Sequence, residues 1–270
     1  MAIYLIEGKL GAGKTLCAVG RIRDALVAGK RVATNLDLRM EHLVNVDAKK
    51  CRVIRLPDKP TVGHLEMIGI GNTEMDESKN GLIVLDEMAA YMNARSYGDK
   101  ERQPVIDWLI HSRKKGWDVY FICQNIAQID KQVREALVEY RVTCKRLDRM
   151  TIPFLRPIFS VLTGGTWVPR FPRVHQAMVR YGVDASAPLA DKWTYLGNDL
   201  FPAYDTRQVF RLDPWQAPFS YLPPYYTHGW KSVKRYRNIA RKLAERRRLT
   251  GLYRAGLVSF DEWRVLFGKT

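Results

Sequence analysis

The first half of the chain alternates short apolar runs with longer stretches whose apolar residues recur at helical spacing, the pattern produced by βαβ units around a parallel sheet. Ile3 to Glu7 (IYLIE) is a continuous β-prone run ending in a glycine-rich turn, Gly8 to Gly13. A helix is predicted from Lys14 to about Ala28, with Leu16, Val19, Ile22, Leu26 and Val27 on one face and Gly29 as its stop. Arg31 to Asn35 (RVATN) and Cys51 to Leu56 (CRVIRL) read as strands, the second halted by Pro57. Gly63 to Asn80 is polar and glycine-containing and reads as a surface loop. Gly81 to Asp86 (GLIVLD) is uninterrupted and apolar, which suits a central strand buried on both faces. A helix from Asp99 to Lys115 ends at Gly116, a strand from Asp118 to Cys123 (DVYFIC) delivers Gln124 and Asn125, a helix follows from about Ala127 to Glu139, and Arg141 to Lys145 (RVTCK) returns as a strand.

After Met150 the pattern changes. Proline is frequent, aromatics are dense, and strand candidates such as Val174 to Tyr181 occur without amphipathic helices between them. Pro214 to Tyr226 (PWQAPFSYLPPYY) carries too much proline for a helix interior and reads as an extended arm. Lys231 to Arg254 reads as a helix. The expected organisation is a core over 1–150, a β-rich extension of it over 151–212, a Pro/aromatic linker or arm over 213–230, and a basic helical segment over 231–270.

Composition adds one strong fact. The 270 residues are 46% hydrophobic and 27% charged, ordinary for a globular chain, but 44 Lys+Arg against 28 Asp+Glu leave a net charge of +16. Such a balance favours phosphate-bearing partners: nucleotides, nucleic acid or an anionic membrane surface. The excess is unevenly placed: Lys231 to Arg254 holds ten basic residues against Glu245 alone, a local +9, while residues 1–140 carry only +2. The four cysteines, Cys17, Cys51, Cys123 and Cys144, are widely separated, which suggests neither a disulfide framework nor a zinc site. No stretch reaches the roughly 18 apolar residues of a membrane span, and the first residues do not read as a signal peptide. The expectation is therefore a soluble chain in a reducing compartment.

Gly8-Lys9-Leu10-Gly11-Ala12-Gly13-Lys14-Thr15 matches the G-x-x-x-x-G-K-[ST] phosphate-binding loop (Walker A) and stands where that chemistry requires, after a strand and opening a helix through Leu16. Glycines let successive N–H groups turn inward, Lys14 reaches the β- and γ-phosphates, and the Thr15 hydroxyl coordinates Mg²⁺. The GLIVLDE strand is the matching Walker B element: Asp86 would hold Mg²⁺ through water, and Glu87 would polarise the attacking water. A nucleotide kinase has no need of a hydrolytic Glu, so the pair favours an NTPase. Gln124, at a strand's C-terminal end, is either a γ-phosphate sensor or a satisfied loop amide. Arg113, in HSRKKG, is a candidate arginine finger acting on a neighbouring subunit's nucleotide, although a basic residue at a helix C-terminus is also favoured by the macrodipole. Arg95 and Arg102 compete for that role.

Taken in order, GKLGAGKT, IVLDE, HSRKKGWDVYFICQNIAQIDKQVRE, CKRLDRMTIPF and AYDTRQVF resemble the zonula occludens toxin-like proteins, assembly ATPases of filamentous phages related more distantly to the FtsK/HerA class of DNA-pumping motors. The resemblance covers roughly residues 1–210. It implies a RecA-like P-loop fold with a mostly parallel central sheet, in which Lys14 and Thr15 bind ATP and Mg²⁺, Asp86 and Glu87 complete the hydrolytic site, and Gln124 is the sensor. It also implies a hexameric ring of subunits that extrudes or packages phage DNA with coat or other assembly proteins in the host cytoplasm or at the cytoplasmic face of the inner membrane. The family usually places a transmembrane helix after the ATPase domain, and none is visible here. The basic segment is expected to bind nucleic acid, with a solvated helix and an anionic-lipid contact as the alternatives. A second class of function also fits the sequence: a non-catalytic, nucleotide-gated scaffold that binds DNA, coat protein or membrane.

Overall fold

The apolar runs pair as neighbours in one sheet in the computed structural model, which describes residues 2–87, 102–147, 174–210 and 216–269. Among these residues the strands are β1 (Ile3–Glu7), β2 (Val32–Thr34), β3 (Val53–Arg55), β4 (Gly81–Leu85), β5 (Trp117–Ile122), β6 (Tyr140–Arg146), β7 (Val174–Tyr181), β8 (Leu189–Leu196) and β9 (Phe219–Ser220), in the spatial order β8-β7-β6-β1-β5-β4-β2-β3-β9. From β6 to β3 all pairings are parallel, and β7, β8 and β9 join antiparallel at the two edges. The fold is mixed α/β with a mostly parallel central sheet, as the alternation of elements predicts. The parts of the sequence reading that fall on 88–101, 148–173 and 211–215, Arg95 and the start of the helix expected over 99–115 among them, lie outside the described residues.

Helices cover both faces of the sheet, which is why its central strands read as unbroken apolar runs. On one side α1 (Lys14–Val27) sets Leu16, Val19 and Ile22 against Ile6, Val84, Ile122 and Val142. On the other, α2 (Val62–Met67), α3 (Arg102–His111) and α4 (Lys131–Leu137) bring Leu65, Leu109 and Leu137 onto Leu5, Ile83 and Phe121. Val27, expected on the buried face of α1, is exposed; the helix ends there and Gly29 turns the chain away at φ 75°.

Three local expectations are corrected. The stretch 63–80 is not all loop: Thr61 and His64 form a reciprocal cap at the start of α2, and Leu65 and Ile68 are fully buried. Burial of two such side chains stabilises by roughly 2–3 kcal/mol each, enough to hold a helix too short to persist alone. The helix expected over 127–139 is a 3₁₀ turn at Ile126–Gln128 followed by α4, because Ile129 adopts extended backbone between them. The strands β8 and β9 were not foreseen, their residues being largely exposed and without a clean alternation.

The second compact unit comprises Asn45–Lys49 and Leu222–Thr270. Its 31-residue helix α5 (Pro224–Arg254) begins seven residues before the predicted start, because Pro224 sits at the first helical turn, where a missing N–H costs nothing. The Tyr225 N–H donates to Ala48 O at 3.2 Å, and Lys49 lies over the Tyr225 ring. A second helix, α6 (Phe260–Lys269), closes a small cluster of Tyr253, Phe260 and Trp263. No helix among the described residues is long and apolar enough to cross a membrane.

Candidate nucleotide site

Strand β1 feeds the Gly8–Gly13 turn at the C-terminal edge of the sheet, where helix N-termini and strand ends converge. Gly13 caps α1 at φ 90°, and a Cβ there would stand 2.3 Å from His175 Nδ1, so no side chain fits. At Gly8 a Cβ would meet the Cys144 carbonyl of β6 at 2.9 Å. Three carbonyls of the turn accept from specific donors. Lys14 Nζ donates to Gly8 O at 2.9 Å, Ala12 N–H to Lys9 O at 3.0 Å, and Cys17 N–H to Gly13 O at 2.9 Å. The N–H groups of Lys14, Thr15 and Leu16, in the first turn of α1, have no intrahelical acceptor, and the helix dipole adds about half a positive charge beside them. Such a cradle suits phosphate.

Between β1 and β4 lies β5, with Ile6 level with Ile122 and Leu85 level with Phe121. This register puts Thr15, Asp86 and Gln124 around one cleft of about 640 Å³, with Leu10, Gly11, Gly13, Lys14, Leu16 and Glu87 also in its wall. Gly8, Lys9 and Ala12 form the back of the turn instead. The Thr15 hydroxyl donates to Asp86 Oδ2 at 2.9 Å, and the Glu87 N–H donates to Asp86 Oδ1 at 2.8 Å. Burial pushes the Asp86 carboxyl above the ordinary carboxylate range, against the pull of these two hydrogen bonds. Glu87 is exposed and held at φ 56°, a left-handed conformation that costs a non-glycine residue on the order of 1 kcal/mol.

Several residues of the site were not foreseen. Fully buried Asn35, just after β2, accepts from Asp86 N–H at 2.8 Å and donates to Asp86 O at 3.0 Å, fixing the backbone that carries the Asp86 carboxylate. Gln208, from the AYDTRQVF segment, clasps the same corner by donating to Asn35 O and accepting from Asp37 N–H. From the antiparallel edge, His175 of β7 contacts Ala12 O and Tyr195 of β8 donates to Gly13 O. The one available signal was the phase of β7: His175 occupies the inward positions shared with Ala177 and Val179. Arg146, at the end of β6, also lines the cleft.

Of the arginine-finger candidates, Arg95 lies outside the described residues, and neither Arg113 nor Arg102 lines the cleft. Arg113 is exposed at the opposite end of the sheet, before β5, 3.6 Å from Glu77 and beside a separate cavity bounded by Ala2, Leu137 and Gly182. Arg102 is buried and faces Asp130 at 3.6 Å, a structural ion pair. Among the described residues no group of three His, Cys, Asp or Glu side chains could hold a metal ion by itself.

The model of the zonular occludens toxin (Zot) family matches residues 2–181. The chain belongs to that family. The Gene 1 protein of Enterobacteria phage I2-2 is 54% identical to this Zot-family chain over 238 residues, 87% of the chain and 65% of the relative. The Gene 1 protein of Salmonella phage IKe is 53% identical over the same length, and that of Enterobacteria phage M13 is 49% identical over 231 residues, 85% of the chain and 66% of the relative. The chain thus spans about 65% of the length of the first of these relatives. Among solved structures, the N-terminal domain of zonular occludens toxin from Neisseria meningitidis aligns at 16% identity and a TM-score of 0.41, covering 76% of this chain and 98% of that one. B204, the DNA-packaging ATPase from Sulfolobus turreted icosahedral virus, aligns at 13% identity and a TM-score of 0.38, covering 67% and 97%. Neither likeness is close enough to add to the fold described above. Within the matched family segment lie the P-loop, Asp86, Glu87, Gln124 and His175, whereas Tyr195 and Gln208 fall beyond it.

Proposed function

We propose that this chain hydrolyses ATP with Mg²⁺ and that turnover drives phage virion assembly or extrusion, or the packaging or translocation of phage DNA. The observation that carries this reading is the Thr15–Asp86 contact: two elements 71 residues apart bring a P-loop hydroxyl within 2.9 Å of a Walker B carboxylate, in a cleft shared with Lys14 and Glu87. Thr15 and Asp86 offer hard oxygen donors of the kind Mg²⁺ takes and would hold the ion, Thr15 by its hydroxyl and Asp86 through water. An ion held there supplies charge neutralisation at the β- and γ-phosphates. Lys14 leaves Gly8 O to pair with phosphate, Glu87 orients and deprotonates the attacking water, and Gln124 contacts the γ-phosphate end.

In the same reading the subunits form a ring, a hexamer by family analogy, and an arginine reaches the nucleotide from a neighbour. Arg113 lies at the opposite end of the sheet from its own P-loop, which supports action in trans rather than in cis. The partners are phage DNA and coat or other assembly proteins, in the host cytoplasm or at the inner face of its inner membrane, and the basic helix α5 supplies the DNA contact. Steady-state phosphate release with and without added DNA tests the enzymatic core: Lys14→Ala removes turnover, and a Lys14→Ala variant as active as the parent refutes it.

A further inference from the structure

The phosphate-binding turn is held by two side chains from the antiparallel edge of the sheet, a feature that P-loop spacing alone does not require. Gly13 O already receives the Cys17 N–H at 2.9 Å as the first bond of α1, and Tyr195 Oη adds a second donor to it at 3.0 Å. Ala12 O is met by His175 Nδ1 at 3.2 Å. A carbonyl oxygen only accepts, so Nδ1 carries a proton. His175 is only 5% exposed, its ring stacks on Tyr195 with centroids 5.5 Å apart and planes 13° apart, and Phe201 meets it edge-on. The fit against Gly13 is close enough that one added methyl would collide with the imidazole. α1 has no side-chain cap of its own at Gly13. The peptide planes of Ala12 and Gly13 are therefore oriented from outside the motif, by β7 and β8.

We propose that His175 and Tyr195 are positioning residues for nucleotide binding: they pin the Ala12 and Gly13 carbonyls to the back of the turn and thereby keep the N–H groups of Gly13 and Lys14 aimed into the cleft. The proposal rests on the nucleotide-binding reading above and assigns a function to the β7–β8 edge, which otherwise looks like mere enlargement of the sheet. Neither side chain transfers a proton or touches the reacting atoms in this role. Their effect falls on affinity, because a turn that must be reoriented on binding loses part of the interaction energy of every phosphate contact.

The test is a titration of the full chain with a fluorescent, non-hydrolysable ATP analogue plus Mg²⁺, alongside thermal melting without nucleotide. Tyr195→Phe deletes one hydroxyl and keeps the stacked ring. His175→Leu deletes the donor, and His175→Asn retains an N–H near the Nδ1 position. Tyr195→Phe and His175→Leu are each expected to weaken binding about tenfold, the effect of one lost hydrogen bond. His175→Asn is expected to recover most of that loss, whatever the melting temperatures do. Equal affinity for the parent, Tyr195→Phe and His175→Leu overturns the clamp. So does a His175→Asn variant as weak as His175→Leu, which reduces the residue to packing. A parent chain that takes up no more analogue than Lys14→Ala overturns the nucleotide reading itself, and the clamp with it.

Discussion

Asn35 shows how much of the site depends on residues outside its motifs. Its amide accepts from the Asp86 N–H and donates to the carbonyls of Asp86 and Asp58, and the side chain is fully buried. Asn35→Ala leaves these groups without partners, so it is expected to cost about 1–3 kcal/mol of stability in urea titrations and to lower hydrolysis through a misplaced Asp86. Unchanged unfolding in that variant contradicts the assignment. Lys14, Thr15, Asp86 and Glu87 were legible because each belongs to a local pattern whose spacing fixes the backbone around it. Asn35, His175, Tyr195 and Gln208 were not, because each acts on a segment far away in sequence and carries no spacing signature of its own. Arg113 shows the converse: the run HSRKKG is suggestive by composition, but its place between a helix end and the start of β5 sets it at the edge opposite the cleft.

At the scale of elements, β1 and β6 are joined by more than their ladder. Glu7, at the end of β1 and almost fully buried, accepts from Arg141 of β6 at 2.6 Å and from Ile126 N–H at 3.2 Å. The pair anchors the strand that launches the P-loop. Arg141→Met strands a buried carboxylate and is expected to destabilise by about 3–5 kcal/mol, whereas adding Glu7→Gln recovers most of the loss. Chemical denaturation of both variants checks this, and a double variant no better than the single one contradicts it. The central strands were readable because burial on both faces leaves continuous apolar runs, and α1 because its apolar positions recur at helical spacing. In α2 and its C-cap only Leu65 and Ile68 report burial, too few for a periodicity. β8 has one face largely in solvent, and β9 is two residues long, so neither leaves a hydropathy pattern.

For the whole molecule, charge and proton linkage lead to separate expectations. Burial pushes Tyr4, Cys123 and Tyr204 each up to about 12, above the roughly 8.5 of a free thiol and 10 of a free phenol. The folded state therefore holds these protons more tightly than the unfolded one, so their contribution is complete below about pH 8.5 and is lost as the pH rises toward 12. Urea midpoints are expected to fall between pH 7.5 and 10.5; a flat or rising midpoint contradicts the linkage. The net charge of +16 belongs mainly to α5, whose Arg241, Lys242, Arg246, Arg247 and Arg248 are exposed. Truncation after Tyr221 is expected to abolish salt-sensitive DNA binding, measured by anisotropy across a salt series, while sparing nucleotide affinity. If DNA binding survives that truncation, the contact lies elsewhere.

The central claim is that this cleft turns nucleotide over rather than merely holding it. Single-turnover hydrolysis of ATP by Glu87→Gln, measured beside a binding titration of the same protein, tests it most directly. Binding is expected to stay close to that of the parent, with hydrolysis slowed at least about a hundredfold through loss of the general base. Hydrolysis at the parent's rate in that variant, or a parent that binds ATP and never releases phosphate, would contradict it.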